Sequence, residues 1–286
     1  MTIQVLPPGR SVELPSRGTT WIRELGQGNP GPALVLLHGW TVTADLNWSA
    51  CYEALSGRYR VVALDHRGHG RGIRSESRFA LEDCAADVAA LIQEAALGPV
   101  VAVGYSMGGL IAQLLWRDHR PQVAGLVLAS TARNFKGNAG DRLYFAGVNG
   151  LATATRLAPD AMRKQLFERY LGSRLEDVAL GDWMAQELAR SDLLALTEAG
   201  AAIGAFTSQT WIGGVDVPTA VVITENDTTV PTRRQHKLAA AIPEARTFSV
   251  AGDHHAVARA GELYAPILLD ACNNVVERVL RSPKVG

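Results

Sequence analysis

The stretch Pro99–Trp116, PVVAVGYSMGGLIAQLLW, constrains this chain more than any other. Val100–Val103 is a short apolar run rich in β-branched residues, the pattern of a fully buried strand. From Gly109 onward, Leu110, Ile111, Leu114 and Leu115 recur at helical spacing. Between them stands Gly104-Tyr105-Ser106-Met107-Gly108, so one serine occupies a sharp strand-to-helix turn. Glycine on either side permits the tight turn and the close approach of helix to strand. Such a turn predicts a hydroxyl lifted above the sheet edge, with a helix N-terminus aimed at whatever that hydroxyl attacks. The backbone N–H of Met107 is then a donor to a developing oxyanion.

A Gly-x-Ser-x-Gly run is short enough to arise by chance in an ordinary turn. The flanking strand and helix give it weight. Serine chemistry also needs a base, an acid to orient the base, and a second oxyanion donor.

With 286 residues, 47% of them hydrophobic, the chain can bury one large core or a core plus an inserted subdomain. Basic and acidic residues balance at 28 each, which argues against a nucleic-acid or polybasic membrane surface. Cys51, Cys84 and Cys272 are widely spaced and odd in number, so they read as buried thiols in a reducing compartment. The N-terminus lacks the apolar run of a signal peptide, and no stretch has the length of a membrane span. The expectation is a soluble, cytoplasmic protein.

Strands are predicted at Ser11–Leu14, Thr19–Leu25, Ala33–Leu37, Tyr59–Leu64, Val100–Val103, Gly125–Ala129, Thr219–Thr224 and Ala245–Val250. The first two form an antiparallel edge. Helices are predicted from Asn47 to Leu55, from Leu81 to Ala95, after the serine turn, over Thr232–Ala241, and from Leu263 to Leu280. The alternation predicts a mostly parallel, doubly wound α/β sheet of eight strands. It breaks between Asn134 and Gly214, where only helical patterns occur: Met162, Leu166, Phe167 and Tyr170 in one segment, and Trp183, Leu188 and Leu194 in another. Residues 1–133 and 215–286 therefore read as the core, and 134–214 as a helical cap over the carboxyl ends of the strands.

Ligands of such sheets bind beyond those carboxyl ends. After Thr224 comes Glu225-Asn226-Asp227, and after Val250 comes Ala251-Gly252-Asp253-His254-His255. An acid and then a histidine thus follow the serine, each beyond a late strand, in the order Ser…Asp…His. His66 and His69 lack the spacing of a metal site and read as structural or solvated, so neither a metal nor a cofactor is expected, while His38 is expected to brace the oxyanion loop by hydrogen bonding rather than to transfer protons.

At this point the chain resembles an α/β-hydrolase-fold serine hydrolase of the capped esterase/lipase and cofactor-free haloperoxidase-like group. The resemblance rests on Leu-Leu-His38-Gly39-Trp40, Asp65-His-Arg67-Gly68-His69-Gly70, Gly104-Tyr-Ser106-Met-Gly108-Gly109 and Glu225-Asn-Asp227-x-x-Val230-Pro231, in the family's order and spacing. It implies Ser106 as nucleophile, Asp227 rather than Glu225 or Asp253 as the acid, and the backbone N–H of Trp40 as the second oxyanion donor. The family pattern also places a Glu and an aromatic eight and ten residues after the catalytic histidine. Glu262 and Tyr264 stand at those distances from His254, which makes His254 the implied base and His255 its reserve.

Trp40, Tyr105 and Met107 flank this site and are expected to form apolar walls for a small hydrophobic acyl substrate. The implied reaction is hydrolysis of a carboxylic ester or related acyl bond. The same triad also serves carbon–carbon, lactone and amide hydrolysis and perhydrolysis, and the fold also serves non-catalytic ligand binding.

Overall fold

Leu34, Val35, Leu36 and Leu37 are all buried, yet they alternate between two different apolar cores. Val35 and Leu37 join one core with Val62, Leu64, Ala102 and Val221, whereas Leu34 and Leu36 join the other with Val61, Ala63, Val101 and Val222. A strand with period-two geometry and no polar face must be covered on both sides. In a computed structural model, which describes residues 6–176 and 182–281 (side chains of 170–176 excepted), helices supply that cover.

The elements run β1 (Arg10–Leu14), β2 (Gly18–Leu25), β3 (Leu34–Leu37), α1 (Ala44–Ser56), β4 (Val61–Leu64), α2 (Leu81–Glu94), β5 (Val100–Tyr105), α3 (Met107–Asp118) and β6 (Val123–Ala129). After β6 come α4 (Ala139–Leu157), α5 (Asp160–Glu176), α6 (Asp182–Ala189) and α7 (Leu193–Ala205). The chain then returns through β7 (Thr219–Thr224), α8 (Thr232–Ala239), β8 (Arg246–Val250), α9 (Ala256–Arg259) and α10 (Gly261–Arg281). The strands form one eight-stranded sheet in the order β1-β2-β4-β3-β5-β6-β7-β8. The β1–β2 and β2–β4 pairings are antiparallel and all others parallel. These are the predicted strands, with ends shifted by at most two residues.

Helices α2, α3 and α8 cover the first core through residues such as Val88, Leu91, Leu110, Leu114 and Leu238. On the other face, α1 and α10 bring Trp48, Tyr52, Leu55, Tyr264 and Leu268. All three cysteines are buried in these two layers as free thiols. No helix among the described residues is long and apolar enough to cross a membrane.

Helices α4–α7 are inserted between β6 and β7, and hydrogen bonds tie them to the loops that follow β3 and β4 and, through Asp141 and Arg234, to α8. Asp192 N–H donates to Gly68 O (2.9 Å), Gly70 N–H to Ser191 Oγ (3.0 Å) and Phe79 N–H to Glu198 Oε2 (2.8 Å). Buried Glu187 accepts from Arg71 at 2.5 Å, and Glu198 pairs with Arg156. The continuous helical pattern over Trp183–Leu196 is corrected here: it is two helices, α6 and α7. The break falls at Arg190–Asp192 because the Asp192 carboxylate caps the Ala195 N–H (3.1 Å) and starts a new helix. Of the other insertion pattern, the Tyr170 side chain lies outside the described residues.

Candidate active site

Ser106 links β5 to α3 with φ 52° and ψ −114°, a left-handed conformation that costs a non-glycine residue about 1–3 kcal/mol. Its surroundings hold it there. The Ser106 N–H donates to Ala129 O on β6 (2.9 Å), and Thr131 Oγ1 donates to Ser106 O (2.8 Å). The flanking glycines are required by close backbone approach. A Cβ on Gly104 would lie 2.3 Å from Gly108 O, and one on Gly108 would lie 2.0 Å from Leu37 O.

His254 and Asp227 reach the serine from the loops after β8 and β7. His254 Nε2 lies 3.1 Å from Ser106 Oγ, and its Nδ1 lies 2.7 Å from Asp227 Oδ2. The Asp227 side chain is fully buried and that of His254 is 12% exposed, so the pair is shielded while the imidazole keeps one open edge. Asp227 Oδ1 accepts the Val230 N–H (2.8 Å), and Oδ2 also accepts from Gln235 Nε2 (3.0 Å). His255 is exposed, its ring edge-on to His254 with centroids 6.1 Å apart, while its backbone N–H donates to Asp253 Oδ1 (2.8 Å).

The loop after β3 carries Trp40. The Gly39 N–H donates to Asn47 Oδ1 (3.0 Å), and His38 Nδ1 donates to Gly39 O (2.7 Å). His38 Nε2 accepts from the His66 N–H (2.9 Å), which defines the neutral Nδ1–H tautomer. Burial, reinforced by the neighbouring His66 and His69, holds the His38 pKa well below the ordinary histidine value. His66 and His69 are buried rather than solvated, and burial lowers His66 to about 3 and His69 to about 4. Among the described residues no group of three or more His, Cys, Asp or Glu side chains is placed to hold a metal ion.

The walls expected of Tyr105 and Met107 need correction. Met107, at the first position of α3, turns its fully buried side chain into the α2/α3 core. Its N–H remains at the helix N-terminus, where no intrahelical acceptor exists. Tyr105, on the last residue of β5, faces the opposite core between Trp48 and Tyr264, with its ring 5.4 Å from that of His254. Its hydroxyl donates to the His254 carbonyl and so braces the histidine loop from behind. Trp40 alone of the three is partly exposed, and its indole Nε1 donates to Leu196 O of α7 (2.7 Å). Asn47, Thr131 and Gln235 went unnoticed in the sequence. Asn47 and Thr131 are polar residues beside apolar runs, which was the available signal, whereas Gln235 stands among charged residues and carried none.

A strained serine turn after the fifth strand, an acid and a histidine after the last two, and a helical insertion after the sixth define a class of fold. A family model described as alpha/beta hydrolase fold matches residues 32–258, and the chain belongs to that family. It is 29% identical over 250 residues to the pimeloyl-(acyl-carrier protein) methyl ester esterase of Xanthomonas oryzae pv. oryzae, covering 79% of this chain and 88% of that protein. Its fold is similar to a hydrolase from Pseudomonas aeruginosa PA01 (TM-score 0.77, 21% identity, 92% of this chain and 98% of the other). It is also similar to the enol-lactonase from Burkholderia xenovorans LB400 (TM-score 0.74, 20% identity, 92% and 100%).

Proposed function

We propose that the protein is a serine hydrolase that cleaves a carboxylic ester of a small hydrophobic acyl substrate. The observation that carries this reading is a single imidazole bridging a buried carboxylate and a serine on a strained turn. In this reading Asp227 accepts the Nδ1–H of His254, which leaves Nε2 unprotonated and facing Ser106 Oγ. As Oγ attacks the ester carbonyl, its proton passes to Nε2, and Asp227 stabilises the imidazolium. The oxyanion is received by the N–H groups of Trp40 and Met107, where loss of one donor typically costs about 10²–10³ in turnover. The imidazolium then protonates the departing alcohol. Water, activated by the same imidazole, releases the acid and regenerates Ser106.

The insertion acts as a cap in this reading. Support comes from its contacts with the loops after β3 and β4, and from the packing of α4 and α7 around Trp40. A Cβ at Gly200 would lie 2.6 Å from the Trp40 indole and 2.9 Å from Val148. The partly exposed Trp40 is the apolar surface that favours a hydrophobic group. The methyl ester esterase named among the relatives points to the same bond type.

Intact-mass analysis after rapid mixing with an aryl ester tests the reading. A transient adduct of the acyl mass on the wild type, absent from Ser106→Ala, is the expected result. An ester-cleaving Ser106→Ala protein would overturn it.

A further inference from the structure

Asp227 is held by more than the histidine it faces. A carboxylate taken out of water stays ionised only where donors replace its lost hydration. Among the described residues its ion-pair partner is His254, so no arginine or lysine shares the task. Tyr105 and Tyr264, whose pKa values burial raises, are neutral neighbours, and Asp253 on the histidine loop is exposed.

Gln235 of α8 fills the gap. It is fully buried, and every polar atom of its amide is used. One Nε2 proton goes to Asp227 Oδ2 (3.0 Å) and the other to Val230 O (2.8 Å), while Oε1 accepts from the Thr224 N–H (2.9 Å). Thr224 ends β7 and Val230 closes the turn after Asp227, so one amide ties together both ends of the loop that carries the carboxylate. The amide has one workable orientation. Turned over, its oxygen would face two acceptors and its NH₂ group would meet a donor.

We propose that Gln235 is a positioning residue for the Ser106–His254–Asp227 triad, fixing the loop that carries Asp227 and aiming its carboxylate at His254 Nδ1. The proposal rests on the hydrolase reading above. Gln235 and His254 share the same oxygen, Oδ2, so the amide sets which lone pair meets the imidazole. Without it, the carboxylate can rotate away from Nδ1.

The test compares kcat, KM, the pH profile of kcat/KM and Tm for Gln235→Met and Gln235→Glu. Gln235→Met keeps the length of the side chain without donors. Its kcat is expected to fall about 10- to 100-fold with KM little changed, the range for a hydrogen bond to a charged group. In an Asp227→Ala background the same substitution should cost no further kcat. Gln235→Glu still accepts from the Thr224 N–H and sets a second carboxyl against Asp227 Oδ2. Two carboxylates that close cannot both ionise, so the pair shares one proton, and kcat should stay nearest the wild type at low pH and fall away from it as pH rises and that proton is lost. If Gln235→Met does not fold, the Glu variant carries the test. A lower Tm in both variants with kcat and the pH profile unchanged would mean packing alone and overturn the proposal. Should the wild type neither turn over an aryl ester nor react with a fluorophosphonate, the hydrolase reading falls first and the proposal with it.

Discussion

The indole N–H of Trp40 donates to the carbonyl of Leu196 at 2.7 Å, joining the loop after β3 to helix α7 of the insertion. The same residue offers its backbone N–H to the oxyanion in the proposed mechanism. The insertion and the oxyanion donor are therefore mechanically linked. Trp40→Phe keeps an apolar ring and the backbone N–H but removes this tether. Its kcat on an aryl ester is expected to fall about 3- to 10-fold, matching the roughly 0.5–1.5 kcal/mol of a neutral hydrogen bond. Steady-state kinetics showing unchanged kcat would mean that the donor is positioned without the insertion.

Gly108 sets how closely α3 approaches β3. Because the atoms opposing a Cβ there are the backbone oxygens of Leu37 and His38, at 2.0 and 2.8 Å, no side chain can move aside. Gly108→Ala should lose at least the about 1–3 kcal/mol typical of overpacking. Urea unfolding reads this directly. Residual folded protein should also have reduced turnover, since the shift displaces both Ser106 and the Met107 N–H. Native-like stability in the variant would contradict the packing described.

Acid should destabilise the fold through the buried histidines. His66 and His69 have folded pKa values of about 3 and about 4, and that of His38 is also well below normal. In the unfolded chain all three take up protons near pH 6.5, at about the ordinary histidine pKa. Asp65 acts in the opposite sense, because burial raises it to about 6 and the folded state then takes its proton first. Three histidines outweigh one carboxylate, so the unfolded chain binds more protons between about pH 6.5 and 4, and stability is lost as pH falls through that window. Thermal melts from pH 7.5 to 5 should show a falling Tm. The fall should be shallower in His69→Phe, and equal slopes would contradict this assignment.

Much of this was legible in the sequence for identifiable reasons. β-branched runs such as Val100–Val103 read as buried strands because both faces of a parallel sheet are apolar, and the glycines around Ser106 announced the turn. Side-chain direction was harder. Tyr105 and Met107 adjoin Ser106 in sequence, yet the end of a strand and the start of a helix send them into opposite cores. The break between α6 and α7 was hidden because a capping aspartate inside an apolar pattern reads as an exposed helical position. Gln235 was hidden for a related reason: in a short helix it looks like surface, and its burial comes from contacts with Thr224 and Val230, five or more residues away.

The choice between His254 and His255 tests the account most directly. Wild type, Ser106→Ala, His254→Ala and His255→Ala would be exposed to a fluorophosphonate probe and assayed on a short-chain aryl ester. Labelling and turnover should vanish in Ser106→Ala, collapse in His254→Ala and persist in His255→Ala. A dead His255→Ala protein beside an active His254→Ala protein would contradict the triad proposed here.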